Sequence, residues 1–250
     1  MNAVYNWIVK RISRNGKMYN WRYRVRTDPK ADRILRLTKG LPVRPAFSEA
    51  GVGGAGQRIF DAVKARYSSL SKLERQALHD YVTGPYEAIK LFRRGILFRK
   101  AAFDEAMPVL RWNEQRWKEI TKRAGKTLDS ARKKLTFNNP TDEGPLYRGL
   151  SVNRKTLEAL LTKDRFSFSS DTNSTTYNPQ IASRFTRRRE EGDSKVVFEI
   201  HKLKKASSAM YEGNPHIAER EMLVGKAKFR ITNREFQPDT RTYVISLEEA

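Results

Sequence analysis

Residues 146–150 read LYRGL, a short apolar run with one arginine, and this pattern is typical of a buried strand. Two polar motifs follow it in the same half of the chain. In Ser167-Phe168-Ser169, the alternation of a strand places both serines on the face opposite the phenylalanine. In Glu219-Arg220-Glu221, which directly precedes the apolar residues MLV, the same alternation predicts two carboxylates on one face of a strand start. Each motif alone is compatible with an ordinary polar strand face.

Helical patterns dominate before residue 138, and strand patterns dominate after it. Residues 59–67 carry an apolar helical face, and Ser71 with Glu74 makes a capping box that opens a second helix. Further helices are predicted at about 86–92, 101–123 and 127–135. Strands are predicted at 146–150, 165–169, 195–201, 222–231 and 242–247. Helices first and strands later favour an α+β fold over an alternating α/β fold.

The first 45 residues hold 12 Lys or Arg and two acids, and they contain a hairpin signal. Asn15-Gly16 separates two β-rich runs, and a type I′ turn needs the positive φ that such a pair accepts. In the second run, Tyr19, Trp21, Tyr23 and Val25 alternate with Asn20, Arg22, Arg24 and Arg26. Residues 34–38 are interpreted as a third strand. Either the aromatic face packs on the main domain, or the sheet binds nucleic acid through its arginines. In the second case it weakly resembles the three-stranded arm-binding modules of phage-type tyrosine recombinases.

A linker is predicted at residues 46–56. It ends in GVGGAG (51–56), which matches the dinucleotide fingerprint GxGxxG, but that fingerprint works only between a buried strand and a helix. The residues in front of it include Pro42 and Pro45 and no apolar run, so the motif is interpreted as a hinge. The predicted organisation is a basic hairpin module (1–45), a linker (46–56) and a catalytic domain (57–250).

Composition excludes several kinds of site. The chain has no Cys, which excludes disulfides, thiolate metal sites and cysteine nucleophiles. Its three histidines, at positions 79, 201 and 216, share no ligand spacing, so no metal is expected. No apolar run approaches the roughly 20 residues of a membrane span and no signal peptide is recognised, so we expect a cytoplasmic protein. The net charge of +22 favours encounter with DNA, RNA or ribosomes, although a basic solvated face is the alternative.

The order of the three motifs resembles the R-S-E class of mono-ADP-ribosyltransferases, which includes bacterial toxins, their vertebrate relatives and the Mod and Alt enzymes of T-even phages. That class carries an aromatic-Arg strand, an S-x-S strand and an E-x-E strand in this order. Residues 81–93 and the pattern Ala182-x-x-Phe185 before an apolar strand are also similar to it. The resemblance covers roughly residues 57–250. It implies an α+β fold in which a helical N-terminal part packs on a mixed two-sheet β core, with the NAD cleft between the sheets.

The resemblance also assigns roles to the motif residues. Arg148 would bind the pyrophosphate of NAD, because a planar guanidinium suits phosphate oxygens. Glu221, held by Ser167, would stabilise the oxocarbenium-like ribose that remains when nicotinamide leaves. Glu219 would orient an acceptor guanidinium and take its proton, because a protonated guanidinium is a poor nucleophile.

Other site residues follow from the same resemblance. The further NAD contacts would be Gly149, Ser169, Phe185 and Arg187, and the acceptor loop would contain Gly213, Asn214 and His216. The glycine would let backbone groups meet the nicotinamide amide. Two departures from the class are the phenylalanine inside the serine motif, where threonine is usual, and Lys90 in place of an asparagine. The pair Ser169-Ser170 offers an alternative register for the serine motif.

The sequence therefore predicts an enzyme that uses NAD as a substrate and needs no metal. The expected acceptor is an arginine of a nucleic-acid-associated host protein in the transcription or translation machinery. A monomer is expected, from a phage or as an injected bacterial effector. Two alternatives are a basic nucleic-acid-binding protein without enzymatic activity and an NAD glycohydrolase on the same fold. Nicotinamide release separates the first alternative from an enzyme, and acceptor labelling separates the second.

Overall fold

The computed structural model describes residues 5–14, 17–26, 29–47, 54–83, 125–168, 173–186, 193–211, 214 and 217–250. The helices in these ranges are α1 (Pro29–Lys39), α2 (Gln57–Tyr67), α3 (Lys72–Thr83), α4 (125–134), α5 (Arg154–Thr162) and α6 (Pro179–Arg184). Short 3₁₀ turns cover Pro140–Glu143 and Ile217–Glu219. The strands are β1 (Tyr5–Arg14), β2 (Lys17–Arg26), β3 (Thr136–Asn138), β4 (Leu146–Val152), β5 (Arg165–Phe168), β6 (Asn173–Thr176), β7 (Ser194–Lys202), β8 (Lys205–Ser208), β9 (Glu221–Val224), β10 (Ala227–Gln237) and β11 (Thr242–Glu249).

The N-terminal hairpin is confirmed, but its predicted third strand is wrong. Strands β1 and β2 pair antiparallel with Arg14 opposite Lys17, the register that a two-residue turn imposes. Residues 34–38 lie instead within helix α1, which begins at Pro29, a residue well suited to the first helical position. Ile34 and Leu37 are spaced for a helical face, and both pack against the main core.

The helices predicted at residues 59–67 and after Ser71 are confirmed. The capping box forms as expected: the Ser71 amide donates to Glu74 at 2.7 Å, and the Glu74 amide donates to the Ser71 hydroxyl at 3.2 Å. The helix predicted at 127–135 corresponds to α4. The helices predicted at 86–92 and 101–123 lie outside the described residues.

Nine strands form one mixed sheet in the order β3-β8-β9-β6-β4-β7-β11-β10-β5. Neighbouring strands are antiparallel except for β7 and β11, which run parallel. The pairing recorded between β4 and β6 is a single position, Tyr147 opposite Thr176. The ladder between β4 and β6 is therefore the shortest between neighbouring strands of this sheet.

The main core combines buried side chains of helices α2 to α5 with those of the sheet. Phe198 and Ile200 of β7 and Leu78 of α3 have no exposed surface, and burial of each such side chain contributes roughly 1.5–3 kcal/mol. The strand predicted at 222–231 is two strands, β9 and β10, separated at Gly225-Lys226. Strands β3, β6 and β8 were not predicted. Within the described residues, no helix combines the length and apolar character that crossing a membrane requires.

Residues 41–47, which we call the N-terminal strap, lie against the end of β10. The Arg44 amide donates to the Phe236 carbonyl at 3.0 Å, and the Phe236 amide donates to the Pro42 carbonyl at 3.0 Å. Gln237 adds a side-chain bond to the Pro45 carbonyl at 3.0 Å. The predicted division at residues 45 and 56 stays a prediction, but the strap is in contact with the main sheet.

Candidate active site

Strands β4, β6 and β9 meet at the single position that pairs β4 with β6. Tyr147 of β4 lies opposite Thr176 of β6, and Thr176 lies opposite Glu221 of β9. Because paired residues are neighbours on a sheet face, these three positions form one line across the strands. Arg148 follows Tyr147 directly, so an arginine and a carboxylate border the junction of β4 and β6.

Arg148 is half-buried and its guanidinium is held in place. Its Nη1 donates to the Ser174 carbonyl oxygen at 2.6 Å, which ties β4 to β6 beside the single paired position. The guanidinium carbon lies 5.7 Å from the centre of the Phe168 ring, within cation–π range. A fixed, planar cation at the opening between two strands is suited to bind a phosphate group.

The sequence predicts that the E-x-E motif begins a strand with both carboxylates on one face. In the structure, Glu219 lies before the strand. Glu219 ends a 3₁₀ turn, Arg220 adopts a left-handed conformation with φ 47°, and β9 begins at Glu221. The alternation of side chains along a strand therefore does not determine how the Glu219 carboxylate is oriented relative to the Glu221 carboxylate. A left-handed arginine costs about 1 kcal/mol or more, so its surroundings must hold it.

Contacts on both sides hold this turn. The Thr176 hydroxyl donates to the Glu219 carbonyl, and the Arg220 guanidinium donates to the Ala55 carbonyl just before α2. The Ala209 amide donates to the Glu221 carbonyl at 3.0 Å. Both Glu219 and Glu221 are half-buried. The turn thus presents two separately placed carboxylates next to the β4–β6 junction.

Ser167 does not reach this junction, which corrects the prediction that it supports Glu221. Strand β5 is the far edge of the sheet, and Ser167 pairs with Lys228 of β10. Phe168 points inward to Arg148, so alternation turns Ser167 outward, where it is exposed. Ser169 lies outside the described residues.

Strand β6 supplies the polar residues between β4 and β9 instead. It contains Ser174-Thr175-Thr176, which matches S-T-S at its first two positions. The Thr175 hydroxyl donates to the Met222 carbonyl at 2.9 Å, and the Ser174 hydroxyl lies 3.4 Å from the Tyr81 hydroxyl of α3. The hydroxyls of β6 therefore fix it to both β9 and a helix.

Gly149 serves a purpose that the sequence analysis did not predict. A Cβ built on it would lie 1.7 Å from the Ala182 carbonyl oxygen, so helix α6 packs directly on the backbone of β4. The side chain of Asn178 caps α6 by accepting from the Gln180 amide at 2.9 Å. The residue directly after the helix is Phe185, which is 61% exposed. An exposed aromatic residue thus follows the helix that packs on the arginine strand.

The predicted acceptor loop is described at Asn214 alone among its three named residues. Asn214 is buried, and its side-chain amide donates to the Ala209 carbonyl at 2.7 Å. Its side chain therefore holds the base of the loop and does not face an acceptor, which corrects the prediction for this residue. Gly213, His216 and Arg187 lie outside the described residues.

Comparison with solved structures identifies the architecture. The Vis toxin from Vibrio splendidus, an ADP-ribosyltransferase, matches in complex with the M6 inhibitor, with a TM-score of 0.52, 22% identity, and coverage of 86% of this chain and 90% of that chain. Its complex with agmatine matches with a TM-score of 0.53, 20% identity, and coverage of 86% and 89%. The chain has the ADP-ribosyltransferase fold. No protein-family model and no curated protein matches the sequence.

A second ADP-ribosyltransferase structure extends the likeness. BECa, an ADP-ribosylating toxin of a C. perfringens binary enterotoxin solved with NADH, matches with a TM-score of 0.53 and 17% identity over 98% of this chain. The chain spans 56% of BECa. The predicted fold is confirmed, including its α+β class.

Within this ADP-ribosyltransferase fold, the residues missed by the sequence analysis lie on β6. The run NSTT has no apolar alternation, but Asn178-Pro179, which begins two positions after it, marks a helix start, since asparagine caps and proline fits the first helical position. That start fixes α6 and places Ser174 on the strand before it. Among the described residues, no group of three or more acidic or histidine side chains is placed to hold a metal.

Proposed function

We propose that the chain is a mono-ADP-ribosyltransferase that cleaves NAD and transfers ADP-ribose to the guanidinium of a protein arginine. The observation that carries the proposal is the line from Tyr147 through Thr176 to Glu221, with Arg148 beside it, in a fold shared with ADP-ribosyltransferases. The arginine, serine and glutamate motifs would thus meet at one junction, with Ser174 in the place first given to Ser167.

Arg148 would hold NAD through its pyrophosphate. The guanidinium is already oriented by its bond to the Ser174 carbonyl, so little side-chain freedom is lost when NAD binds. The exposed ring of Phe185 at the end of α6 offers an aromatic surface for nicotinamide. Gly149 brings that helix onto β4, so its role in NAD binding would be to place α6.

Glu221 would act on the reacting ribose. When the bond between nicotinamide and C1′ of the ribose breaks, the electron pair leaves with nicotinamide and the ribose becomes an oxocarbenium-like cation. A fixed carboxylate next to that cation stabilises the transition state. Thr176, opposite Glu221 in the sheet, would keep β9 in register with β6.

Glu219 would act on the acceptor. It accepts the proton that the acceptor guanidinium loses as its nitrogen attacks C1′ and forms the new bond. The Vis structure with agmatine supports this acceptor class, because agmatine is a small molecule that ends in a guanidinium. The charge of +22 favours acceptors among proteins that are bound to nucleic acid.

The direct test is incubation with NAD labelled in the adenosine part, with agmatine or a cell lysate as acceptor. The proposal predicts nicotinamide release and labelled agmatine, and mass spectrometry should place the lysate label on arginine. Arg148→Lys should weaken NAD binding by about 1.5–3 kcal/mol, because lysine keeps the charge but loses the fork. Arg230→Lys, at an exposed position of β10, is the matched control. Hydrolysis without any labelling would indicate a glycohydrolase, and absence of turnover would overturn the proposal.

The hairpin suggests an additional binding function. Strands β1 and β2 contain seven Lys or Arg and no acid, which favours phosphate contacts. Deleting residues 1–28, and not 1–45, tests this, because residues 34–47 contact the main sheet. We expect weaker, less salt-dependent binding of DNA or RNA in a gel-shift assay, with unchanged NAD hydrolysis. Equal nucleic-acid affinity of both forms would contradict this function.

A further inference from the structure

A buried carboxylate lies on β7, the strand that pairs with the arginine strand β4. The side chain of Glu199 on β7 is 6% exposed, and an unpaired charge at such a place would cost several kcal/mol. Three side chains compensate it: Arg44, Tyr147 and His201. We call these four residues the Glu199 cluster.

The contacts of the cluster are short and directional. Arg44 donates to the Glu199 carboxylate from Nη1 at 2.5 Å and from Nη2 at 3.2 Å. The Tyr147 hydroxyl donates to the same carboxylate at 3.0 Å, and His201 Nε2 lies 3.6 Å from it. Burial works to raise the pKa of Glu199, but His201 and Arg44 outweigh it and lower that pKa to about 2. The carboxylate is therefore charged at every physiological pH.

Tyr147 joins this cluster to the candidate site. It lies opposite Glu199 on one side and opposite Thr176 on the other, and it directly precedes Arg148. Burial raises the pKa of Tyr147 above its usual range, so its hydroxyl stays a donor. Its position thus depends on Glu199 and also determines where β4 presents Arg148.

Arg44 brings the N-terminal strap into the same arrangement. The strap backbone is fixed to Phe236 on β10, and the Arg44 guanidinium lies 5.0 Å above the Phe47 ring. That ring in turn packs edge-on against Tyr147, with 5.6 Å between ring centres. The strap therefore contacts Tyr147 both through Glu199 and directly.

We propose that Arg44 and Glu199 are positioning residues for the NAD site: they fix Tyr147, and through it the place at which β4 presents Arg148. The inference rests on the proposed function, since it assumes that Arg148 binds NAD. It makes the strap, far from the motifs in sequence, part of the support of that site. A partner that moves the strap would then change NAD affinity.

The test compares two variants with two matched controls. Arg44→Gln removes the paired cation, and Tyr147→Phe removes one hydroxyl while keeping the ring. Glu235→Gln removes the other carboxylate bound to Arg44, at 3.1 Å, without touching Tyr147. Ser151→Ala removes another β4 hydroxyl that donates to a carboxylate, that of Asp193 at 3.0 Å. Nicotinamide release is measured well below the melting temperature of each protein.

The expected result is a KM for NAD raised about tenfold in Arg44→Gln and roughly threefold or more in Tyr147→Phe, equivalent to about 0.7–1.4 kcal/mol, with kcat little changed. The controls should keep KM within about twofold. Should Arg44→Gln fail to fold, Tyr147→Phe alone decides. A lowered melting temperature with unchanged KM would show that the cluster only stabilises the fold and would overturn the inference.

The Arg148→Lys variant distinguishes a failure of the inference from a failure of the proposed function. If it raises KM while Arg44→Gln and Tyr147→Phe do not, the inference fails and the proposed function stands. If Arg148→Lys leaves KM unchanged, the NAD site is wrongly assigned and the inference fails with it. Hydrogen exchange of the β4 amides gives a readout without NAD: it should be faster in Arg44→Gln and unchanged in Glu235→Gln.

Discussion

Replacing Gly149 with alanine is expected to push helix α6 off strand β4. A Cβ at this position lies 1.7 Å from the Ala182 carbonyl oxygen and 3.1 Å from Cγ2 of Thr186. Ordinary van der Waals contact begins at 3.4 Å, and the Cβ would lie 1.7 Å from the Ala182 oxygen. The helix must therefore move away by about 1.7 Å, the difference between these two values. A backbone oxygen cannot rotate away as a side chain can. Overpacking costs about 1–3 kcal/mol and sometimes more, and we expect the upper end of that range.

Thermal denaturation gives the direct measurement. A chain of this size loses roughly 2–4 °C of melting temperature per kcal/mol, so Gly149→Ala should melt roughly 6–12 °C lower than the parent. Gly54→Ala is the matched control, because no atom lies within 4 Å of its Cβ. Equal melting temperatures for the two variants would refute the close approach of α6.

The same substitution should also affect NAD binding. Phe185 directly follows helix α6, so a retreat of the helix moves this exposed residue relative to Arg148. We expect Gly149→Ala to raise the KM for NAD at temperatures where the variant remains folded. An unchanged KM in a variant that melts lower would mean that α6 stabilises the fold without shaping the NAD site.

Three further results are expected. Glu219→Gln should leave nicotinamide release within about tenfold of the parent while agmatine labelling falls much further, and equal losses would contradict an acceptor role. Ser174→Ala should reduce nicotinamide release while Ser167→Ala should not; the reverse would restore the sequence-based assignment. Hydrogen bonds from Lys134 and Ser130 lower the pKa of Glu74 to about 2 from 4.5. That stabilisation is complete above about pH 4.5 and lost as the pH falls towards 2, so melting curves of Glu74→Gln should depend less on pH in this range. An unchanged pH dependence would contradict it.

Features encoded by neighbouring residues were predictable from the sequence. The capping box of α3 needs two side chains three residues apart, and the hairpin needs one turn pair, so both patterns are local. The strand that carries Arg148 is apolar and short. Each of these elements is indicated by residues that are close together in the sequence, without contacts to distant parts of the chain.

Strand β6 had no such signal. Its four residues are polar and owe their strand conformation to pairing with β9, whose nearest residue is 45 positions later in the chain. The serine motif was therefore assigned to the more regular pattern around Ser167, on a strand that the fold places at the opposite edge. Glu219 was misplaced for a related reason, since the positive φ of Arg220 interrupts the strand alternation.

Long-range ion pairs could not be predicted from the sequence either. Arg44 and Glu199 lie 155 residues apart, and nothing near either residue indicates the other. Helix α1 was mistaken for a strand because residues 34–38 are too few to distinguish the helical period from the strand period.

The most direct test of the account is nicotinamide release from NAD by the parent chain and by Glu221→Gln. The substitution keeps the size of the side chain and removes the charge that should stabilise the ribosyl cation. We expect turnover by the parent and a loss of about 10²-fold or more in a variant with an unchanged melting temperature. Turnover by folded Glu221→Gln close to that of the parent would contradict the assignment of Glu221 and of the junction around it.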